Sequence, residues 1–374
     1  MKLNDIREGD KMEKIGVISL YGRFNYGNRL QNYATCRICE MEGMAAESLV
    51  LDKRFNLERE IKNKVKKLMG RPDPPSIEKS MNPLRLAAFD RFNTHIPIRH
   101  IHNIDNSLKN AYSYFIVGSD QVWNPRFYKY NEDWYFLRFA DKSQRIALAA
   151  SIGLNELTFQ QKLSLSHGVK GFSNLSVRER RGSELISQQT NIDVRIVCDP
   201  TLVIPAEEWL KLSDDRITPK SPYVFTYLLG GDLASRDLIN KVSKYGQLPV
   251  IALTDRDCEG EFPAGPSEFI SLIKNATHVV TDSFHAAVFS CIFQTPLTIF
   301  QREGGASMFS RLEQLSSSLG IEHKVYGSSD FDLSRAGDYS HVSEAIEDEK
   351  TNYLDFFLGC FEVSHQIGHG DISG

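Results

Sequence analysis

The sequence predicts an α/β protein of two domains, each a parallel sheet with helices on its faces. Three observations predict it. The chain has 374 residues, which suits two domains at about 100–200 residues each. It opens strand, helix, strand, the βαβ unit of a parallel sheet. The alternation pauses at Ile204-Pro205 and then starts again. Hydrophobic residues make up 41% of the chain and charged residues 25%, enough apolar material for two cores and too much for a disordered chain.

The elements follow in order. Residues 14–21 (KIGVISLY) read as the first strand and run into a turn-rich loop ending at Asn25-Tyr26-Gly27-Asn28. Leu30, Tyr33, Ala34, Ile38 and Met41 then recur at helical spacing, and residues 46–52 form the next strand. Residues 53–71 are strongly basic, with Leu57, Ile61, Val65 and Leu68 on one face. Two readings stand: a helix with a solvated face, or a surface that touches anionic lipid at the inner face of a membrane. Residues 71–75 (RPDPP) break the pattern, and a helix follows over 83–92. Strands are expected at 114–117, 145–150, 174–177 and 194–198.

Beyond Pro205 the pattern predicts strands at 223–228, 249–253, 278–280 and 297–300, separated by helices at 235–244, 266–275 and 283–292. The expected domains are 14–204 and 205–345, with a last helix at 350–363 crossing back onto the first.

Composition narrows the function classes. A net charge of -4 makes no case for a nucleic-acid partner, so any anion site must be built locally. No apolar run reaches the roughly 20 residues that span a bilayer, and residues 1–13 lack an apolar leader core, so a cytoplasmic protein is expected. Six cysteines in this length are not a disulfide scaffold. Cys36 and Cys39 form a lone CxxC without the four ligands of a structural zinc, so they are read as packing residues and no metal is expected.

In open α/β sheets, ligands bind beyond the carboxyl ends of the strands. Those ends carry Asn25 and Asn28, then Ser119, Asp120 and Gln121, Ser151, Arg178 and Glu179, Asp199, Asp255, and Thr281-Asp282-Ser283-Phe284-His285. Several can be simple helix caps, and Asp199 before Pro200 and Asp255 are read so. His285 falls in the first turn of a helix after a buried strand, where free N–H groups and the dipole favour an anion. There a histidine can hold a phosphate or donate a proton, or be a satisfied core residue. Arg178 and Arg302, each just after a strand, are candidates for bidentate binding of carboxylate or phosphate.

These stretches also carry a family resemblance. From about residue 14 to 321 the chain resembles the polysaccharide pyruvyl transferases. The matching stretches are Asn25-Tyr26-Gly27-Asn28-Arg29-Leu30-Gln31-Asn32-Tyr33-Ala34, Val117-Gly118-Ser119-Asp120-Gln121-Val122-Trp123-Asn124 and Ala149-Ala150-Ser151-Ile152-Gly153. Next come Ser176-Val177-Arg178-Glu179, Asp199-Pro200-Thr201-Leu202, Val280-Thr281-Asp282-Ser283-Phe284-His285 and Ser310-Arg311-Leu312. The resemblance implies two facing Rossmann-like domains of the glycosyltransferase-B kind. It implies phosphoenolpyruvate as donor, a cell-surface glycan or its lipid-linked precursor as acceptor, and a pyruvate ketal as product. It assigns donor contact and catalysis to His285 and donor contact to Arg178. Two positions depart from the pattern: Ser283 stands where some members have arginine, and Ala286 where many have glycine.

The expected chemistry needs a proton donor, neutralisation of a carboxylate and a phosphate, and deprotonation of two hydroxyls. His285 and the arginines suit the first two tasks. Asp120 is a candidate base, or a cap of its own helix. No cofactor beyond the donor is expected. Two alternatives stay open: a nucleotide-sugar glycosyltransferase of the same fold, and a non-catalytic glycan-binding relative.

Overall fold

The computed structural model describes residues 12–22, 25–52, 81–129, 131–230, 235–244, 246–253, 262–301 and 306–367. The basic segment 53–71, the loop 71–75, Asp255 and Arg302 lie outside them. The chain forms two parallel sheets. The first has seven strands in the order β3-β2-β1-β4-β5-β6-β7: β1 (Lys14–Ile18), β2 (Ala45–Leu51), β3 (Ile98–Ile101), β4 (Tyr114–Val117), β5 (Arg145–Ala150), β6 (Asn174–Val177) and β7 (Arg195–Ile196). The second has four in the order β11-β10-β8-β9: β8 (Val224–Tyr227), β9 (Val250–Leu253), β10 (His278–Thr281) and β11 (Leu297–Ile299).

Both orders reverse once. In the first sheet β1 pairs with β2 on one side and β4 on the other; in the second, β8 sits between β9 and β10. Such a reversal splits the flanking connections to opposite faces and opens a crevice at the strand ends. The two crevices lie at Gly118–Asp120 and at Thr281–His285.

The structure differs from the sequence expectation in several places. Strand β3 was not anticipated: its Arg99 and His100 are exposed, so it lacks an apolar run. Asn25–Asn28 is not a loop. Helix α1 (Tyr26–Met41) begins at Tyr26, because the Asn25 side chain accepts the Asn28 N–H at 3.0 Å and caps it. The last helix, Val342–Ile367, is much longer than its apolar stretch suggested, because its first two turns are acidic and solvated. It packs against Pro200–Val203, and its Phe361 ring meets Tyr114 of β4. No described helix is long and apolar enough to cross a membrane.

One apolar core runs through both sheets. Helix α1 carries Tyr26, Leu30 and Tyr33 into it, facing Trp209, Tyr227, Phe269 and Phe289 beyond the domain boundary. Tyr26 stacks on Phe269 with centroids 4.6 Å apart and donates to the Ala264 carbonyl at 2.9 Å. Cys36 and Cys39 are buried free thiols on the same helix. Burial lifts the Cys36 thiol to about 12 and Cys39 well above its usual value, so both behave as small apolar groups. A shared core predicts shared unfolding. Tyr26→Ala should cost about 3–5 kcal/mol and leave a single cooperative transition in urea. Two separated transitions, only one of them shifted, would contradict the shared core.

Candidate active site

A cleft of about 780 Å³ opens between the two switch points. Its floor is made by Asn25, Gly27, Asp120 and Gln121 from the first domain, and Asp282, Ser283, Phe284 and His285 from the second.

Asp120 follows β4 with φ at 72°, a left-handed conformation that aspartate tolerates better than most residues. Its carbonyl accepts the N–H groups of Val122 and Ser151 at 2.8 and 2.9 Å. Its carboxylate receives the Asn28 side-chain amide, and Arg178 Nη2 lies 3.9 Å away. It does not cap a helix: the next helix, Pro125–Tyr128, is capped by Asn124. Gln121 is held by Asn124 at 3.0 Å and packs against Gly153, where a Cβ would fall 2.4 Å from Gln121 Oε1.

Behind the floor lies the buried carboxylate of Asp199. Its Oδ1 accepts the Thr201 N–H at 3.0 Å and hydroxyl at 2.6 Å, the cap the sequence suggested. Its Oδ2 pairs with Arg178 Nη1, accepts from Ser119 Oγ at 3.3 Å and lies 3.6 Å from His285 Nε2. Burial alone would raise this carboxyl. Arg178, His285 and Thr201 outweigh it and hold Asp199 far below the ordinary carboxylate range. Burial likewise opposes the Arg178 charge, and Asp199, Asp120 and Glu179 raise its pKa above the ordinary value.

His285 is 8% exposed and sits in the first turn of the helix Phe284–Phe293. Its Nε2 is buried without a hydrogen bond and faces Asp199. Its Nδ1 lies against Gly27: a Cβ there would fall 2.1 Å from it, so only glycine leaves room for the ring. Ser283 occupies the N-cap position of this helix but makes no side-chain cap bond. Asp282 accepts the Leu229 and Gly230 N–H groups, both at 2.7 Å, which pins the loop after β8 across the switch point. The Phe284 ring lies near two arginines, with Arg178 at 4.8 Å and Arg311 at 5.9 Å from its centroid.

The anticipated residues therefore fall into two layers. Asn25, Asp120, Gln121, Asp282, Ser283 and His285 line the cleft. Asn28, Ser119, Ser151 and Arg178 stand behind it as supports. Ser151 donates to Glu179 Oε1 at 3.1 Å, and the same oxygen accepts the Ile152 and Gly153 N–H groups at 2.9 and 3.2 Å. Asp199 was read only as a cap and proves also to be the charge centre of the site. Arg311, in a matching stretch without an assigned role, lines the cleft. The remaining lining mixes the uncharged Asn124, Gln160, Gln161 and Ser164 with the charged Arg126, Lys129 and Glu132, and Phe127 is exposed.

Two substitutions test this geometry. Asp199→Asn removes the nearest counter-charge of Arg178 and should cost on the order of 3–5 kcal/mol near neutral pH. The Asp199 carboxyl is depressed on folding, so its stabilisation is complete above its unfolded pKa, about 4, and is lost as pH falls toward its folded value. Urea curves of the two proteins should therefore converge below about pH 4; a gap that stays constant there would contradict the assignment. Gly27→Ala should displace the His285 imidazole, seen as a shift of its ¹H–¹⁵N ring signals, with the fold retained. Unchanged ring signals would mean the close contact is absent.

The family model described as polysaccharide pyruvyl transferase matches residues 25–303. Among solved structures the chain is similar to the UDP-GlcNAc 2-epimerase of Methanocaldococcus jannaschii, with 11% identity, a TM-score of 0.53, and 93% of this chain and 99% of that chain covered. It is also similar to an S. aureus MnaA–UDP structure, at 11% identity and a TM-score of 0.48, over 94% of this chain and 98% of that one. An α-glucosyltransferase in complex with UDP follows, at 9% identity and a TM-score of 0.47, over 95% and 99%. At 11% identity the likeness to the first of these, with its TM-score of 0.53, is one of fold alone, and that fold is glycosyltransferase-B-like. No curated protein matches the chain.

Proposed function

We propose that this chain, which belongs to the polysaccharide pyruvyl transferase family, moves the enolpyruvyl group of phosphoenolpyruvate onto a sugar of a cell-surface polysaccharide or its lipid-linked precursor. One observation carries the donor assignment. His285, Arg311 and the start of a helix line a cleft whose other lining residues offer the amides and hydroxyl of Asn124, Gln160, Gln161 and Ser164 alongside Arg126, Lys129 and Glu132. A small dianionic or trianionic donor suits the first group, and a polyhydroxylated acceptor suits the second. Ser283 leaves the charge that some relatives place there to another residue. Arg311, beside the same Phe284 ring, is the described residue suited to supply it.

In this scheme phosphoenolpyruvate lies with its phosphate toward the start of Phe284–Phe293. An acid delivers a proton to the methylene carbon, and positive charge develops at the central carbon. One sugar hydroxyl adds there as its own proton leaves. The C–O bond to phosphate breaks, inorganic phosphate departs with the electron pair, and a second hydroxyl of the same sugar closes the ketal. His285 is suited to proton delivery or phosphate contact, with Nε2 turned to Asp199. Asp120 is the candidate base, placed between Asn28 and Arg178. Arg178, one layer back, acts on the donor through Asp199 and the Phe284 ring. The scheme uses no metal or other cofactor.

A membrane role for the basic segment 53–71 remains part of this proposal. It would bring the cleft to a lipid-linked acceptor.

The test is a thermal shift with millimolar phosphoenolpyruvate, with and without chelator. Stabilisation that survives chelation supports the donor. Its absence, or a larger shift with a uridine or guanosine diphosphate sugar, favours the nucleotide-sugar alternative. His285→Ala should cut turnover by about 10²–10⁴. His285→Gln should keep donor binding without turnover if the residue is the acid, and keep both if it only contacts phosphate. Near-native turnover in His285→Ala would overturn the assignment.

A further inference from the structure

One helix beside the cleft has a neighbouring face that is apolar and open to water. In the helix Phe159–Val169, Gln160 and Ser164 stand one turn apart and line the cleft. Leu165 and Val169 pack into the core of the first domain. The row next to Gln160 and Ser164 is Phe159 and Leu163, again one turn apart and so on one face. They are 71% and 51% exposed, and neither lines the cleft. Phe127, which does line it, is a third exposed apolar side chain. The pyruvyl-transfer scheme gives Phe159 and Leu163 no task.

Charge selects the partner. Residues 157–178 contain Lys162, His167, Lys170 and Arg178 and no aspartate or glutamate, in a chain whose net charge is -4. Arg178 is buried, Lys162 half-buried, and His167 and Lys170 exposed. Arg126 and Lys129, both exposed, flank Phe127 in the chain. Four acids lie nearby. Glu156 comes just before the helix. Glu132 accepts from Ser164 at 2.6 Å and lies 3.3 Å from Arg138, and Asp133 lies 3.4 Å from the same arginine. Glu184 pairs with Arg181 at 2.8 Å on the helix Arg180–Thr190, which packs on this one. With Arg138 and Arg181 set against those acids, Lys162, Lys170, Arg126 and Lys129 outnumber Glu156. An exposed apolar row flanked by cations fits a helix lying on an anionic bilayer. A protein interface of about 800 Å² per partner needs a wider face than one helical row.

We propose that this face docks on an anionic membrane surface, with Phe159 and Leu163 entering the headgroup layer and Lys162 and Lys170 meeting lipid phosphates. Gln160 and Ser164 lie on the next row, so docking brings the cleft itself to the bilayer. The use of the contact, delivery of a lipid-linked sugar, rests on the pyruvyl-transfer reading; the contact does not. It is carried by a different part of the chain from residues 53–71.

The test mixes the full chain, without substrate, with vesicles of phosphatidylcholine alone or of phosphatidylcholine with phosphatidylglycerol, and reads bound protein by sedimentation. Binding is expected on the anionic vesicles only, and added salt should weaken it. Phe159→Ser with Leu163→Ser should weaken it about tenfold, and so should Lys162→Glu with Lys170→Glu. Both variants should keep the wild-type urea midpoint, since the changes lie on the surface. The native Trp123, Trp134 and Trp209 are buried, so Phe159→Trp reports on the face directly: its added emission should shift to the blue on anionic vesicles. Equal binding by the wild type and the Phe159→Ser, Leu163→Ser variant, or an unshifted Phe159→Trp emission, overturns the proposal and leaves any vesicle contact to residues 53–71. Absence of vesicle binding overturns it as well; self-association that the same variant abolishes would then make the face an interface between two copies. None of these outcomes bears on the donor, which the thermal shift with phosphoenolpyruvate tests separately.

Discussion

The site depends on one buried carboxylate held between the two domains. Asp199 takes a guanidinium from Arg178, at the end of a first-domain strand, and an imidazole from His285, at the start of a second-domain helix. Charges removed from water cost several kcal/mol each unless geometry and hydrogen bonds compensate. Here Thr201 and Ser119 occupy the remaining lone pairs, and the Phe284 ring covers the guanidinium. Shifting either domain would break the set, so the network ties the assembly of the cleft to the packing of the fold. Its contribution is to position more than to stabilise. The apolar core around Tyr26 and Phe269 supplies the stability, and Asp199 lies 3.6 Å from His285 Nε2.

That division explains the two layers of polar residues. A group that touches a ligand must be open to the cleft, while a group that orients it must be shielded from water to act strongly. Asp120 and His285 line the cleft, and Ser119, Ser151, Arg178, Asp199 and Glu179 lie buried behind it. Gly27 serves both by having no side chain: it lets the α1 backbone approach the imidazole, and it stands at the cleft surface itself.

Much of this was legible in the sequence. Buried parallel strands appear as short apolar runs, so most strands of both sheets were located to within a residue or two. β3 was missed because an edge strand can expose Arg99 and His100 without losing its ladder. The start of α1 was missed because Gly27 and Asn28 are poor helix formers, and only the cap from Asn25 marks the boundary. The candidate residues were identifiable by their place at strand ends, but their layer was not. Burial of Arg178 and the double duty of Asp199, as cap and counter-ion, arise from side chains far apart in sequence. Arg311 lay in a matching stretch that assigned it no role, since the Phe284 ring beside it belongs to another helix.

The pairing of His285 and Arg311 at a helix start with the uncharged polar groups of Asn124, Gln160, Gln161 and Ser164 in one cleft is the physical basis for the proposal that it joins a small anion to a glycan. The most direct measurement supplies phosphoenolpyruvate and the de-pyruvylated surface glycan together and follows both products. The account predicts inorganic phosphate and a mass gain of one pyruvate ketal on the glycan, in equal amounts and each dependent on the other substrate. Phosphate release without ketal formation, or glycan modification from a nucleotide sugar with phosphoenolpyruvate inert, would contradict it.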